Sequence, residues 1–224
     1  MAYIGKKPTD KPLSASDLED GLITNSKLAQ DIISGETELA TAPADTDEFL
    51  ISDAGTLKRL DASLIGGGKI GQVVQTTKTD TWSQSTSGNT FYNPTNFSRT
   101  ITPTATSSKI LIMTTASFSG TTNYELAGKL IRTVGGSDTE LLIGDAASSR
   151  GRTFMSKRTN EAQDFANFCM TYLDSPSTTS EITYKVLGAT ESTATLYLNR
   201  GHNDSDNSGE WRTASSIVCM EVLA

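Results

Sequence analysis

Apolar and polar residues alternate along much of the chain, most clearly after residue 69. Ile182, Tyr184 and Val186 are separated by Thr183 and Lys185, and Leu196 and Leu198 alternate with Thr195 and its neighbours. A period of two is the mark of a strand with one face covered. Further strand-like runs are Ile70-Val73-Val74, Lys109 to Met113, Leu126 to Ile131, Leu141 to Ile143, Phe165 to Leu173 and Ser215 to Leu223. Turn-forming residues punctuate them at Thr122-Asn123, Gly135 to Asp138, Asp174 to Pro176 and Asn203 to Asn207. Short strands at this spacing, with no helical period between them, predict an antiparallel β-sandwich of jelly-roll type over residues 69–224.

The preceding stretch, residues 39–68, has a different texture. Phe49 to Ser52 and Leu57 to Leu60 predict two strands joined by the turn Asp53-Ala54-Gly55-Thr56. A lone hairpin of this size is barely stable in water. Three copies wound about an axis would bury Phe49, Ile51, Leu57 and Leu60 against one another as the core of a stalk. Gly66-Gly67-Gly68 then reads as a flexible joint.

Residues 1–38 space Leu13, Leu18, Leu22, Leu28 and Ile32 among polar residues. Ser16 to Glu19 and Thr24 to Lys27 look like helix starts, and Gly21 and Gly35 like stops. Helices this short need a partner surface, because nucleation costs more than a few turns return. The predicted fold class is therefore mainly β: a short N-terminal helical anchor, a small β-hairpin stalk and a C-terminal antiparallel β-sandwich head, in a trimeric assembly.

Composition narrows the function. Hydrophobic residues make up 36% of the chain and the net charge is −7 at pH 7. Such an acidic chain repels phosphate backbones and anionic membranes, which argues against nucleic acid as a partner. No apolar run is long enough to insert into a membrane. Met1 to Pro8 lacks the apolar core of a signal peptide, so synthesis in a cytoplasm without export is expected. Cys169 and Cys219, each inside an apolar run, are expected to be buried reduced thiols.

Little in the chain suggests catalysis, and no cofactor or metal is expected. A Ser-His-Asp or Cys-His arrangement would have to use His202, the single histidine, which sits in the polar turn Gly201 to Asp204. Gly66 to Lys69 precedes a strand instead of following one, unlike a phosphate-binding loop. Asp204, Asp206 and Glu210 have the chemistry of a Ca²⁺ site but not the spacing of a full ligand loop, and read as a solvated turn. Trp82, Phe91, Tyr92, Tyr124 and Trp211 lie near turns, where they either stack on sugar faces or seal the ends of the sandwich. Arg150, Arg152, Lys157 and Arg158 form a basic cluster, suited either to an anionic glycan or to internal ion pairs. The residues expected to face a receptor are Tyr124, Arg150, Arg152 and Trp211.

The order of several motifs resembles a known family. Ala2-Tyr3-Ile4-Gly5-Lys6, Pro12 to Leu18 and Gly21 to Ala29 are similar to the opening of tail-fibre and related virion proteins from phages of marine bacteria, cyanobacteria among them. Asp47 to Asp53 with Gly55 to Leu60 resembles a fibre module found in many phages. Ile101-Thr102-Pro103, Ser107 to Leu111, Gly144 to Ala146, Leu173 to Pro176, Leu198 to Arg200 and Arg212 to Ile217 resemble a recurrent fibre-head domain. The resemblance implies a homotrimeric virion appendage that docks through Ala2, Tyr3, Ile4 and Gly5 onto a tail or tail adaptor, or alternatively a capsid. Its heads would meet a host surface glycan or protein. The function expected is host attachment by a bacteriophage tail fibre. A head fibre, capsid decoration or tail connector without a receptor role fits the same layout, while a glycan-cleaving tail enzyme would need paired carboxylates.

Overall fold

The computed structural model describes residues 37–41, 43–44, 46–65, 69–121 and 123–223. The expected N-terminal helices and the docking residues Ala2, Tyr3, Ile4 and Gly5 lie outside these residues. The chain divides into two units, Met1–Gly66 and Gly67–Ala224.

In the first unit, strands β1 (Glu48–Asp53) and β2 (Thr56–Asp61) pair antiparallel. Ala54 and Gly55 join them with φ of 49° and 85°. Two successive left-handed residues make the turn whose twist matches that of paired strands. Asp61 then caps a short 3₁₀ turn, Ala62–Leu64, by accepting from the backbone N–H of Ser63 at 2.9 Å. The register corrects one expectation. Phe49 stands opposite Leu60, and Ile51 two positions along shares their face. Leu57 stands opposite Ser52 and faces the other way, beside Leu50, because adjacent strand positions alternate faces. The four residues expected to form one stalk core therefore divide between two faces.

The second unit is an antiparallel β-sandwich. Its strands are β3 (Ile70–Lys78), β4 (Trp82–Ser87), β5 (Ser98–Ile101), β6 (Lys109–Gly120), β7 (Tyr124–Val134), β8 (Ser137–Leu141), β9 (Met155–Thr159), β10 (Ala166–Asp174), β11 (Ile182–Thr190), β12 (Thr193–Leu198) and β13 (Ser215–Val222). Three pairs of these are halves of longer strands. β4 carries on the line of β3, and β13 that of β12, since Lys78 pairs with Ser215 and Trp82 with Leu198. β8 and β9 lie end to end along the same edge of β7. Taking each pair as one strand gives eight in chain order. One sheet then has the order first, eighth, third, sixth, and the other second, seventh, fourth, fifth. That order is the jelly roll, reached here from strand pairing alone.

Close approach of the two sheets depends on a pair of glycines. Gly128 of β7 lies directly opposite Gly188 of β11. A Cβ at Gly128 would come within 2.6 Å of the Phe168 ring, and one at Gly188 within 2.7 Å of Phe118. Phe118 and Phe168, from the facing sheet, fill the depression, with ring centroids 5.7 Å apart. Leu126, Leu130, Val186 and Ile217 close around them in the buried core.

The two ends of the sandwich differ. β3 begins and β13 finishes at one end, where a buried cluster joins the layers. Arg132 donates to both Asp174 oxygens at 2.8 and 2.9 Å, and the Tyr184 hydroxyl donates to Asp174 at 2.7 Å. Burial, reinforced by that carboxylate, pushes the Tyr184 phenol well above its ordinary pKa. Nearby, buried Glu221 accepts from the Thr104 backbone at 2.6 Å, the Thr104 hydroxyl at 2.7 Å and Gln72 at 2.9 Å. Burial alone would raise its pKa; the hydrogen bonds outweigh burial and hold it at about 2. The opposite end carries the connections β4–β5, β6–β7, β9–β10 and β11–β12.

Cys219 is buried, as expected, and raised by burial to about 12. Cys169 corrects the expectation. It is exposed, because its partner Thr115 points outward, whereas Cys219 pairs across from the inward Ile112. The apolar run Phe168-Cys169-Met170 spans both faces of its strand. The two thiols are free and on opposite faces of one sheet.

Candidate functional site

Two of the composite strands are interrupted by excursions, and these carry Arg150, Arg152 and the 73% exposed Trp211. The first, residues 142–154, leaves between β8 and β9. Leu142 turns the chain out with a φ of 48°, which ends the strand expected to run to Ile143. Gly144 donates to the Thr153 carbonyl at 3.3 Å, and Arg152 Nε donates to the Gly144 carbonyl at 2.7 Å, so the excursion is tied across its neck.

The second, residues 199–214, leaves between β12 and β13. Asn199 holds the break. It is fully buried with a φ of 64°, a conformation Asn adopts more readily than most residues. Its amide nitrogen donates to the carbonyls of Lys78 and Asp80 at 2.8 and 3.0 Å, and its side-chain oxygen accepts from Ser215 at 2.6 Å. Its backbone N–H reaches Ser117 and its carbonyl accepts from Thr213. Every polar group of this residue therefore ties the interrupted strand to its neighbours.

A cleft of about 510 Å³ opens on the outer side of the sheet formed by β5, β11, β7 and β8. Glu125, Ala127, Lys129 and Ala189 give it a floor, Phe91 one wall, and Arg152 with Thr153 the other. The Lys129 ammonium lies 4.4 Å from the centre of the Phe91 ring and 2.5 Å from Glu140. Glu191, at the rim, is 3.3 Å from Arg158. Cations and carboxylates thus alternate around an aromatic face. This arrangement suits a polar ligand with an apolar side, such as a sugar ring.

Trp211 stands out on the second excursion, 73% exposed. Below it, Arg212 grips Asp204 through two hydrogen bonds, at 3.1 and 2.8 Å, and Arg200 reaches the same carboxylate at 3.4 Å. Arg212's hydrogen bonds hold Asp204 below the usual carboxylate range. Asp204 is committed to these guanidinium groups, and among the described residues no three His, Cys, Asp or Glu side chains are gathered as metal ligands. Arg200 also stacks 4.6 Å from the Tyr197 ring, which packs on His202 at 5.8 Å. His202 lies here, on the second excursion, while Ser149 and Ser156 line the cleft.

Of the residues expected to face a receptor, Arg150 and Arg152 lie on the first excursion and Trp211 on the second. Tyr124 does not join them: it starts β7, half-buried, on the inward-facing parity of Leu126. The basic cluster is only partly free. Arg158 pairs with Glu191 and donates to the Asn123 carbonyl at 2.8 Å, and Lys157 donates to the Phe165 carbonyl at 2.5 Å. Trp82 packs against the core instead of lying open. Glu125, Lys129 and Glu191 escaped the sequence reading because each belongs to a strand or its end, and only strand pairing brings them to one cleft.

No family model and no curated protein matches the sequence. Among solved structures, the chain overlaps loosely with capsid proteins of infectious bursal disease virus. One is the VP2 subviral particle, at 15% identity over 77% of this chain and 41% of that one, with a TM-score of 0.33. Another is the T13 viral particle, at 12% identity over 77% and 39%, with a TM-score of 0.35. The chain spans about two-fifths of the length of these proteins. Overlaps this loose carry no functional argument, and the jelly-roll assignment rests on the strand order. Among the described residues no helix is long and apolar enough to cross a membrane.

Proposed function

We propose that this chain is a bacteriophage virion protein, a tail fibre whose jelly-roll head contributes to host attachment by binding and not by catalysis. The observation that carries the reading is the polarity of the sandwich. β3 begins and β13 finishes at the end sealed by Asp174 and Glu221, while the cleft and the second excursion lie on the outer sides of the two sheets, toward the other end. A head of this design anchors at one end and presents variable loops at the other. The order of fibre-like motifs along the sequence supports the same reading. Copies of the chain, as a homotrimer held by other virion proteins, add weak contacts through effective concentration instead of one tight site. The ligand class that fits the cleft and Trp211 is a host surface glycan or a protein with exposed polar loops.

Adsorption measures this directly. Purified full-length protein, added to host cells before the phage, is expected to bind the cells and slow phage adsorption. The double variant Arg152→Glu, Trp211→Ala is expected to do neither while keeping its circular dichroism spectrum. Wild-type protein that neither binds cells nor slows adsorption overturns the attachment role.

A further inference from the structure

The outer face of the sheet formed by β3, β13, β6 and β10 is bare in a way the cleft face is not. Its strand registers align three outward rows. Val73, Met220, Leu111 and Leu173 form the first, directly opposite one another across four strands. Gln75, Val218, Met113 and Thr171 form the second, and Thr77, Ser216, Thr115 and Cys169 the third. Val73 is 55% exposed, Leu173 46% and Met113 38%. Toward the loop end the same face is covered by the second excursion, where Ser119 donates to the Arg200 carbonyl at 2.5 Å. Among the described residues of the second unit, none lies over the three rows below it.

Two features identify what covers them. None of the twelve side chains in these rows is charged, in a chain that is 20% charged and carries −7 overall. Copies of so acidic a chain repel one another, and an uncharged face is where they can meet at least cost. The size also fits. Four strands about 4.8 Å apart and three rows of alternate residues give on the order of 400 Å². That is about half of one partner's share of a standard subunit interface, with Val73, Met220, Leu111, Leu173, Val218 and Met113 as its apolar centre and the Gln, Thr and Ser positions as the start of a polar rim. We propose that the uncharged face of the β3–β13–β6–β10 sheet is where further copies of this chain pack, joining head to head. This rests on the multivalent reading above and names the surface that would join the copies.

The test uses full-length protein with Cys169→Ser, which leaves only the buried Cys219. Met113→Cys places a thiol at the centre of the face, and Thr139→Cys on β8 serves as an exposed control. Mass is read by light scattering at micromolar concentration and exposure by the rate of maleimide labelling. The expected result is an oligomer in which the thiol of Met113→Cys labels about tenfold or more slowly than the control. Adding Val73→Lys is expected to restore the control rate. An oligomer whose Met113→Cys thiol labels as fast as the control overturns this proposal and leaves the multivalent fibre standing, with copies meeting elsewhere. A monomer overturns both.

Discussion

The two ends of the jelly roll handle charge in opposite ways. At the end where the chain enters, Asp174 and Glu221 are buried and every partner is a fixed donor: Arg132 and Tyr184 for one, Gln72 and Thr104 for the other. At the loop end, charges pair in the open. Arg158 and Glu191 meet at 3.3 Å with their side chains 55% and 37% exposed, and Asp164 accepts from the backbone of Asn160 and Glu161 at the surface. Buried charges make one geometry costly to leave, because an unpaired ion in the interior has no substitute partner. Exposed pairs are replaceable by water and salt. One end is built to stay fixed and the other to tolerate change.

The comparison predicts a gradient of mutational cost. The steepest step is Asp174→Ala, which leaves the Arg132 guanidinium and the Tyr184 hydroxyl without their shared acceptor. A loss of about 3–5 kcal/mol is expected, seen as a lower denaturant midpoint at unchanged slope. A loss below about 1 kcal/mol would mean that the entry end is no more tightly held than the loops.

Glu221 comes next, and its signature is in pH. Its folded pKa of about 2 lies below the ordinary glutamate value of 4.5. A carboxylate depressed in this way adds stability that is fully present above 4.5 and lost as pH falls toward about 2. Glu221→Gln is expected to cost about 1.5–3 kcal/mol at neutral pH, since it replaces charge-assisted hydrogen bonds. Thermal melts across that acid window should also flatten relative to the wild type. An unchanged acid slope would show that other carboxylates dominate it.

At the loop end the same chemistry is expected to do little. Arg158→Ala removes the pair with Glu191 and the bond to the Asn123 carbonyl, yet less than about 1 kcal/mol should be lost. A larger loss would show that the connections β6–β7 and β9–β10 are part of the rigid frame.

How much of this contrast was legible beforehand depends on where polarity and burial coincide. The strands that alternate cleanly, such as Ile182 to Val186 and Leu196 to Leu198, announced themselves. β4 (WSQSTS), β5 (SRTI) and β9 (MSKRT) did not, because their inward positions include polar residues. Thr86, for example, is buried against the hydroxyl of Thr190. The second excursion is readable as a turn-rich stretch, which singles out Trp211, whereas Arg152 on the first stands out only by the clustering of basic residues. That each excursion interrupts one continuous strand was not readable. Local pattern shows two runs, and only pairing with β6 or β7 shows that they are collinear. The Gly128–Gly188 pair was equally silent, since its meaning lies in two phenylalanines of the other sheet. The stalk set Phe49, Ile51, Leu57 and Leu60 failed on register for the same reason: apolar character is local, but facing depends on the partner strand.

The smallest expected effect on stability belongs to Trp211, and there the comparison becomes sharpest. An indole that is 73% exposed buries little surface, so Trp211→Ala should leave the melting temperature almost unchanged, within about 0.5 kcal/mol in free energy. Under the attachment role proposed above, so exposed a ring is free to stack on a host ligand. The adsorption assay should therefore respond where the melt does not, with weaker cell binding by Trp211→Ala and a smaller effect from Trp211→Tyr, which keeps a ring that can stack. If Trp211→Ala lowers the melting temperature and leaves cell binding intact, Trp211 braces the second excursion, and attachment must run through the cleft between Phe91 and Arg152.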